Sequence, residues 1–257
     1  SKALSQVLQS NTTLTKLDLT NNRICDDGVI ALSDTLKTNN TLTELNLCIN
    51  LIREKGVTAL SEMLITNTTI TALRMESNHA GASGTTSLSH ALAVNTTLLE
   101  LNLGSNEIGD AGATSLSEAL KANAMLQELN VWGNKIGDTG AKSLCDALKI
   151  NTTLTNLNLS YNKIEETGAA SLSEAIKTNS GLTCLNLKDN SFGDDCVKVF
   201  RDSLESNTSL THLELTGEII DNSGEYVMAE ALRAGASVAH VAFGGGHRSH
   251  NHDCCIQ

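Results

Sequence analysis

Proline is absent from all 257 residues, and aromatic side chains make up only 2% of them. Turns must therefore be set without the fixed φ that proline usually supplies. No apolar run approaches the roughly 18 residues that a membrane span requires, and the opening SKALSQVLQS lacks the apolar core of a secretory leader. Cysteine is present seven times, an odd number with no CxxC spacing, which argues against a secreted disulfide scaffold. Basic residues are outnumbered 18 to 29 by acidic ones, giving a formal charge of −11. A nucleic-acid partner is thereby disfavoured, because neutralising phosphates needs an excess of lysine and arginine. No GxSxG, HExxH or phosphate-cradling glycine loop occurs, so no enzymatic activity, metal site or cofactor is expected.

What is present is a repeat. Asparagines recur at Asn22, Asn50, Asn78, Asn106, Asn134, Asn162 and Asn190, each 28 residues after the last, inside the pattern LxxLxLxxNxI. The frame continues through Leu210, Leu213 and Leu215 and weakens to Val238, Val241 and Phe243. Upstream, Leu4 and Leu8 precede Leu32 and Leu36 by the same interval, so the chain opens within the second half of a repeat, as a fragment would.

Each unit changes period midway. Leu101 and Leu103 alternate with Asn102, which describes a short half-buried strand; Gly112, Leu116 and Leu120 then follow at intervals of four, which is helical. Asp110 and Asp138 stand where the helix begins and are expected to cap it. Strands stack about 4.8 Å apart and helices 8 to 10 Å apart, so identical units must bend into an arc with strands inside. The expected fold is an α/β solenoid, a right-handed horseshoe with parallel strands on the concave face and helices on the convex face. It covers residues 1–243, a partial first repeat and about eight full ones with a degenerate end, followed by a Gly/His/Cys tail at 244–257. The ladder asparagines should satisfy backbone groups in the turn after each strand, and the glycine column (Gly28, Gly56, Gly84, Gly112, Gly140, Gly168, Gly224) should let neighbouring backbones approach. Asn-x-Thr or Asn-x-Ser triplets at Asn11, Asn39, Asn67, Asn95, Asn151 and Asn207 keep the same period and read as a structural element, not as glycan acceptors.

The unit NTTLxxLNLxxNxIGDxGAxSLSEALKxN resembles the 28-residue class of leucine-rich repeat found in ribonuclease inhibitor, in the sensor domains of NOD-like receptors and in the GTPase-activating protein of Ran. The resemblance implies a protein-binding scaffold, as in the repeat portion of a NOD-like-receptor-type sensor. The alternative it implies is a GTPase-activating regulator like that of Ran. A cytoplasmic monomer is expected.

Three inward columns carry the candidate binding residues. The first reads Lys16, Glu44, Ala72, Glu100, Glu128, Asn156, Cys184, His212; the second includes Arg74 among repeated asparagines; the third reads Thr20, Cys48, Glu76, Gly104, Trp132, Ser160, Lys188, Thr216. Trp132, between two small neighbours, is expected to be exposed with Tyr161 near it, a pairing suited to a binding hot spot. Glu44, Glu76, Glu100 and Glu128 would steer a partner bearing a basic patch. Cys25, Cys48, Cys145, Cys184 and Cys196 are expected to be free thiols. The tail allows three readings. Cys254 to Gln257 resemble a prenylation box with Cys254 as acceptor, giving weak membrane attachment through one lipid. Alternatively His247, His250, His252, Cys254 and Cys255 bind a metal, or the tail has no role.

Overall fold

The computed structural model describes residues 2–192, 194–215 and 240–242. Helices and strands alternate from α1 to β8, and a further strand, β9, follows: α1 (Lys2–Ser10), β1 (Lys16–Asp18), α2 (Asp26–Leu36), β2 (Glu44–Asn46), α3 (Glu54–Thr66), β3 (Ala72–Arg74), α4 (Gly81–Val94), β4 (Glu100–Asn102), α5 (Gly109–Ala122), β5 (Glu128–Asn130), α6 (Asp138–Leu148), β6 (Asn156–Asn158), α7 (Glu166–Thr178), β7 (Cys184–Asn186), α8 (Asp194–Ser206), β8 (His212–Glu214) and β9 (His240–Ala242). All nine strands form one parallel sheet in chain order. Its register advances by one repeat at each step, so that Leu45, Leu73, Leu101 and Leu129 lie side by side. The fold is an α/β leucine-rich repeat solenoid. No helix among the described residues is long and apolar enough to cross a membrane.

The core is a continuous aliphatic seam between the sheet and the helices. The central leucine of each strand from β2 to β8 is buried, as are Leu47, Leu103, Leu159 and Leu187 just beyond the strands. Each such side chain stabilises the fold by roughly 1.5 to 3 kcal/mol of transfer free energy before entropy is subtracted. No repeat completes this seam alone. Leu14, Leu17 and Leu19, at the first strand, are only partly buried because β1 is the end of the sheet.

Two asparagine ladders stitch the units together. The Asn50 side-chain oxygen accepts the backbone N–H groups of Asn22 and Ile24 in the preceding repeat, while its amide donates to the carbonyls of Leu19, Leu47 and Cys48. The second ladder lies where each helix gives way to the next strand. Asn67 donates to the carbonyls of Leu36 and Asn39 and accepts from the N–H groups of Thr69 and Ile70. Asn95, Asn151 and Asn207 are likewise buried with their amides donating. The asparagines of these buried triplets thus serve the turn between helix and strand, the structural part their period suggests.

The capping aspartates correct the sequence reading. Asp110 Oδ1 accepts the N–H groups of Gly137 and Gly140, at the start of α6, and Asp138 Oδ1 accepts that of Glu165, at the start of α7. Each caps the helix of the next repeat, and neither α5 nor α6 has a side-chain cap of its own. Side-by-side packing brings a first-turn carboxylate against the neighbouring helix N-terminus, where the N–H groups and the helix dipole both favour it. The glycine column makes room for this contact. A Cβ at Gly140 would stand 2.7 Å from Asp110 Oδ1 and 2.8 Å from Ile136 Cγ2, so what approaches most closely there is side chain, where neighbouring backbone was expected.

Candidate functional site

The strand register places the three inward columns in rows, one residue per repeat. Most of the second column is engaged within the wall itself: the Asn46, Asn102 and Asn186 amides donate to the carboxylates of Asp18, Glu76 and Glu214. Asn46, Asn102, Asn130, Asn158 and Asn186 each accept, through the side-chain oxygen, the N–H two residues on. They close the end of their own strand. Arg74 interrupts this series, and its longer side chain reaches outside its own column.

Arg74 organises the first half of the wall. Its Nε lies 2.6 Å from Glu100 Oε1 and its Nη2 2.5 Å from Glu100 Oε2, a bidentate pair. Its Nη1 lies 3.6 Å from Glu44 Oε2, and Lys16 Nζ is 2.7 Å from Glu44 Oε1. Ala72 stands between Glu44 and Glu100 in register and is small enough to leave the gap that the guanidinium spans. The Lys16 ammonium, with Arg74 behind it, holds the Glu44 carboxyl below the ordinary carboxylate range. Burial alone would weaken the Arg74 guanidinium's hold on its proton; Glu100 and Glu44 reverse that effect and raise it. Two of the four glutamates therefore already have counter-charges. A third, Glu76, accepts the Asn102 amide at 3.3 Å.

Glu128 is different. It has no hydrogen bond or ion pair among the described residues, and it stands half-buried between Glu100 and Asn156 in register. Burial and the neighbouring Glu100 charge push its carboxyl above the ordinary range, with Arg74 opposing them.

Trp132 lies in the turn that follows β5, four residues after Glu128. The expectation of an exposed indole is corrected: the side chain is half-buried. Its pyrrole edge occupies the space over Gly104, where a Cβ would come within 2.1 Å of Nε1. The missing side chain that seemed to leave the ring uncovered instead provides its seat. Tyr161 meets it edge-on, with ring centroids 6.0 Å apart and planes at 74°. Tyr161 is 51% exposed, and Lys188 Nζ lies 5.8 Å from its ring centre.

The backbone that aims Tyr161 was not legible from sequence. Tyr161 has φ 54°, and Asn21, Ile49, Ser77, Ser105, Gly133 and Asp189, at the same position of other repeats, are also left-handed. Six different residue types fill that position, so no consensus marks it. Gly133 and Asn21, both tolerant of positive φ, were the available signal.

Among the cysteines, Cys25, Cys48 and Cys145 are free. Burial pushes the Cys48 thiol up to about 11 and that of Cys145 up to about 12, which keeps both protonated and unreactive. Cys184 is disulfide-bonded, which corrects the expectation of a free thiol there. Repeat spacing describes contacts between units and gives no sign of a cross-link of this kind. The side chain of Cys196 and the tail with Cys254 lie outside the described residues. Among the described residues no group of three or more His, Cys, Asp or Glu side chains could hold a metal ion.

Among the described residues, the strand face of this leucine-rich repeat solenoid carries one aromatic corner, Trp132–Tyr161, beside a carboxylate, Glu128, with no ion pair or hydrogen bond. A leucine-rich repeat family model matches residues 10–33, 94–117, 122–145 and 151–173. Among solved structures, the chain is similar to leiomodin-1 actin-binding site 2, with 21% identity, a TM-score of 0.51, and 59% of this chain and 87% of that one covered. It is similar also to the tropomodulin C-terminal domain from Caenorhabditis elegans, with 18% identity, a TM-score of 0.51, and coverage of 58% and 92%. At these identities the likeness speaks for the fold. No curated protein matches the chain.

Proposed function

We propose that this chain is a binding scaffold that holds a protein partner on its concave face, at the wall formed by β4 to β7. The observation that carries this reading is the Trp132–Tyr161 pair. Among the described residues it is the one place on a small, polar wall where large rigid side chains gather, with the tyrosine half-exposed and held at positive φ. Rigid aromatics of this kind dominate binding energy where they are buried by a partner. The unpaired Glu128 beside them favours a partner with a basic patch.

Reading the chain as an activator of a Ran-like GTPase draws on Arg74, the only arginine on the inward columns. That guanidinium is held by two carboxylates, so this wall supports binding better than it supports an arginine offered to a nucleotide. The uniform 28-residue period agrees with the repeat portion of a NOD-like-receptor-type sensor. Acting as a cytoplasmic monomer, the scaffold would need no cofactor.

Affinity capture with the wild-type chain and with Trp132→Ala, followed by titration of each purified captured protein, tests the proposal. Actin is the reasoned first protein to titrate, because the leiomodin structure is an actin-binding site. Losing a hot-spot aromatic of about 2 kcal/mol should weaken the specific partner by roughly 30-fold. Equal affinities for the two proteins would remove this wall from consideration.

A further inference from the structure

The four candidate glutamates, Glu44, Glu76, Glu100 and Glu128, are not equivalent. Glu44 is neutralised by Lys16 and Arg74, Glu100 by Arg74, and Glu76 takes an amide. Glu128 alone has neither counter-charge nor hydrogen bond among the described residues. A half-buried carboxylate in that state costs the fold free energy, because desolvation is not offset by pairing. A cation delivered from outside would supply the missing charge, whereas a phosphate or acidic ligand would be repelled by Glu128.

The aromatic corner complements this position without duplicating it. Lys188 already lies over the Tyr161 ring, so the place where an incoming cation would meet that ring is taken. What the corner still offers is apolar ring surface on the phenol, stiffened by the indole seated on Gly104. Glu128 opens β5 and Trp132 stands four residues on, in the turn just past the strand, so the two are separated by at most roughly 13 Å of extended backbone.

We propose that Glu128 is the receptor for a single lysine or arginine of the partner, and that the Trp132–Tyr161 corner takes a bulky apolar residue about four positions away in the same extended segment. This inference rests on the concave-face reading and sharpens it to two subsites with a fixed spacing.

Selection from a random decapeptide display library tests it, with the full chain as bait in three forms: wild type, Glu128→Gln and Trp132→Ala. Wild type should enrich peptides that carry a basic residue and a bulky apolar residue about four apart. Glu128→Gln should keep the apolar preference and lose the basic one. A synthetic peptide of the enriched sequence should bind Glu128→Gln at least about tenfold more weakly than wild type. Replacing its basic residue by norleucine should cost a similar factor against wild type and little against Glu128→Gln, as coupling between the two groups requires.

A Glu128→Gln selection with the basic position unchanged would overturn this inference and leave the concave-face reading intact, provided that Trp132→Ala abolishes selection. Identical selections by wild type and Trp132→Ala would overturn both. Failure of wild type to enrich any common sequence would overturn the extended-segment proposal. Thermal unfolding separates binding from folding. The groups acting on Glu128 are Glu100 and Arg74, and its carboxyl is held above the ordinary range. The cost of its charge is therefore absent below the unfolded-state value and complete above the folded one. Glu128→Gln should melt above wild type at pH 7, with the gap closing towards pH 4. A lower melting temperature at pH 7 would contradict the uncompensated charge.

Discussion

Replacing Asn134 with alanine lowers the unfolding free energy by about 4 kcal/mol, as urea denaturation followed by circular dichroism would report. The size follows from its contacts. Asn134 is fully buried, its Oδ1 accepts the N–H groups of Asn106 at 2.8 Å and Ile108 at 3.3 Å, and its Nδ2 donates to the carbonyls of Leu103 at 2.8 Å and Trp132 at 3.1 Å. Alanine fills part of the volume and leaves these backbone groups short of a partner, each at about 1 to 3 kcal/mol. Partial relaxation brings the sum below the maximum. A loss under 1 kcal/mol would mean that water or a shifted turn satisfies the same groups, and that the ladder is not what holds adjacent repeats in register.

The second large effect depends on position along the stack. Leu129→Ala, in the middle of the sheet, should cost about 3 kcal/mol, because the side chain is completely covered by repeats on both sides. Leu17→Ala should cost about 1 kcal/mol, because β1 has a neighbouring strand on one side only among the described residues and Leu17 is only partly buried. The same substitution at the same place in two repeats thus differs about threefold. Equal losses would contradict a linear array in which each unit is stabilised by its neighbours.

The repeat made the architecture readable before any coordinates. Once Asn22 and its successors fixed the period, the leucine spacing set strands and helices, and translation alone placed Glu44, Ala72, Glu100 and Glu128 in one row. The misreadings share a cause. Asp110 and Asp138 were assigned to their own helices because capping rules run along one chain segment, whereas their acceptor oxygens face the next repeat. Small column neighbours predict an exposed Trp132 because they cannot cover it, whereas Gly104 acts by what it leaves open. The glutamates looked alike because columns were read singly; Arg74 crosses from the second column to the first and removes two of them from play. Tyr161 was found by proximity, but its left-handed backbone was hidden in a position with no consensus residue.

The chain holds a single tryptophan, and it stands at the proposed contact. Its fluorescence, recorded with acrylamide quenching while a captured partner is titrated in, reports directly on whether that wall is the one engaged. The binding account predicts a blue shift and reduced quenching that saturate with the partner's affinity. A partner that binds tightly while the emission and quenching of Trp132 stay unchanged would contradict it.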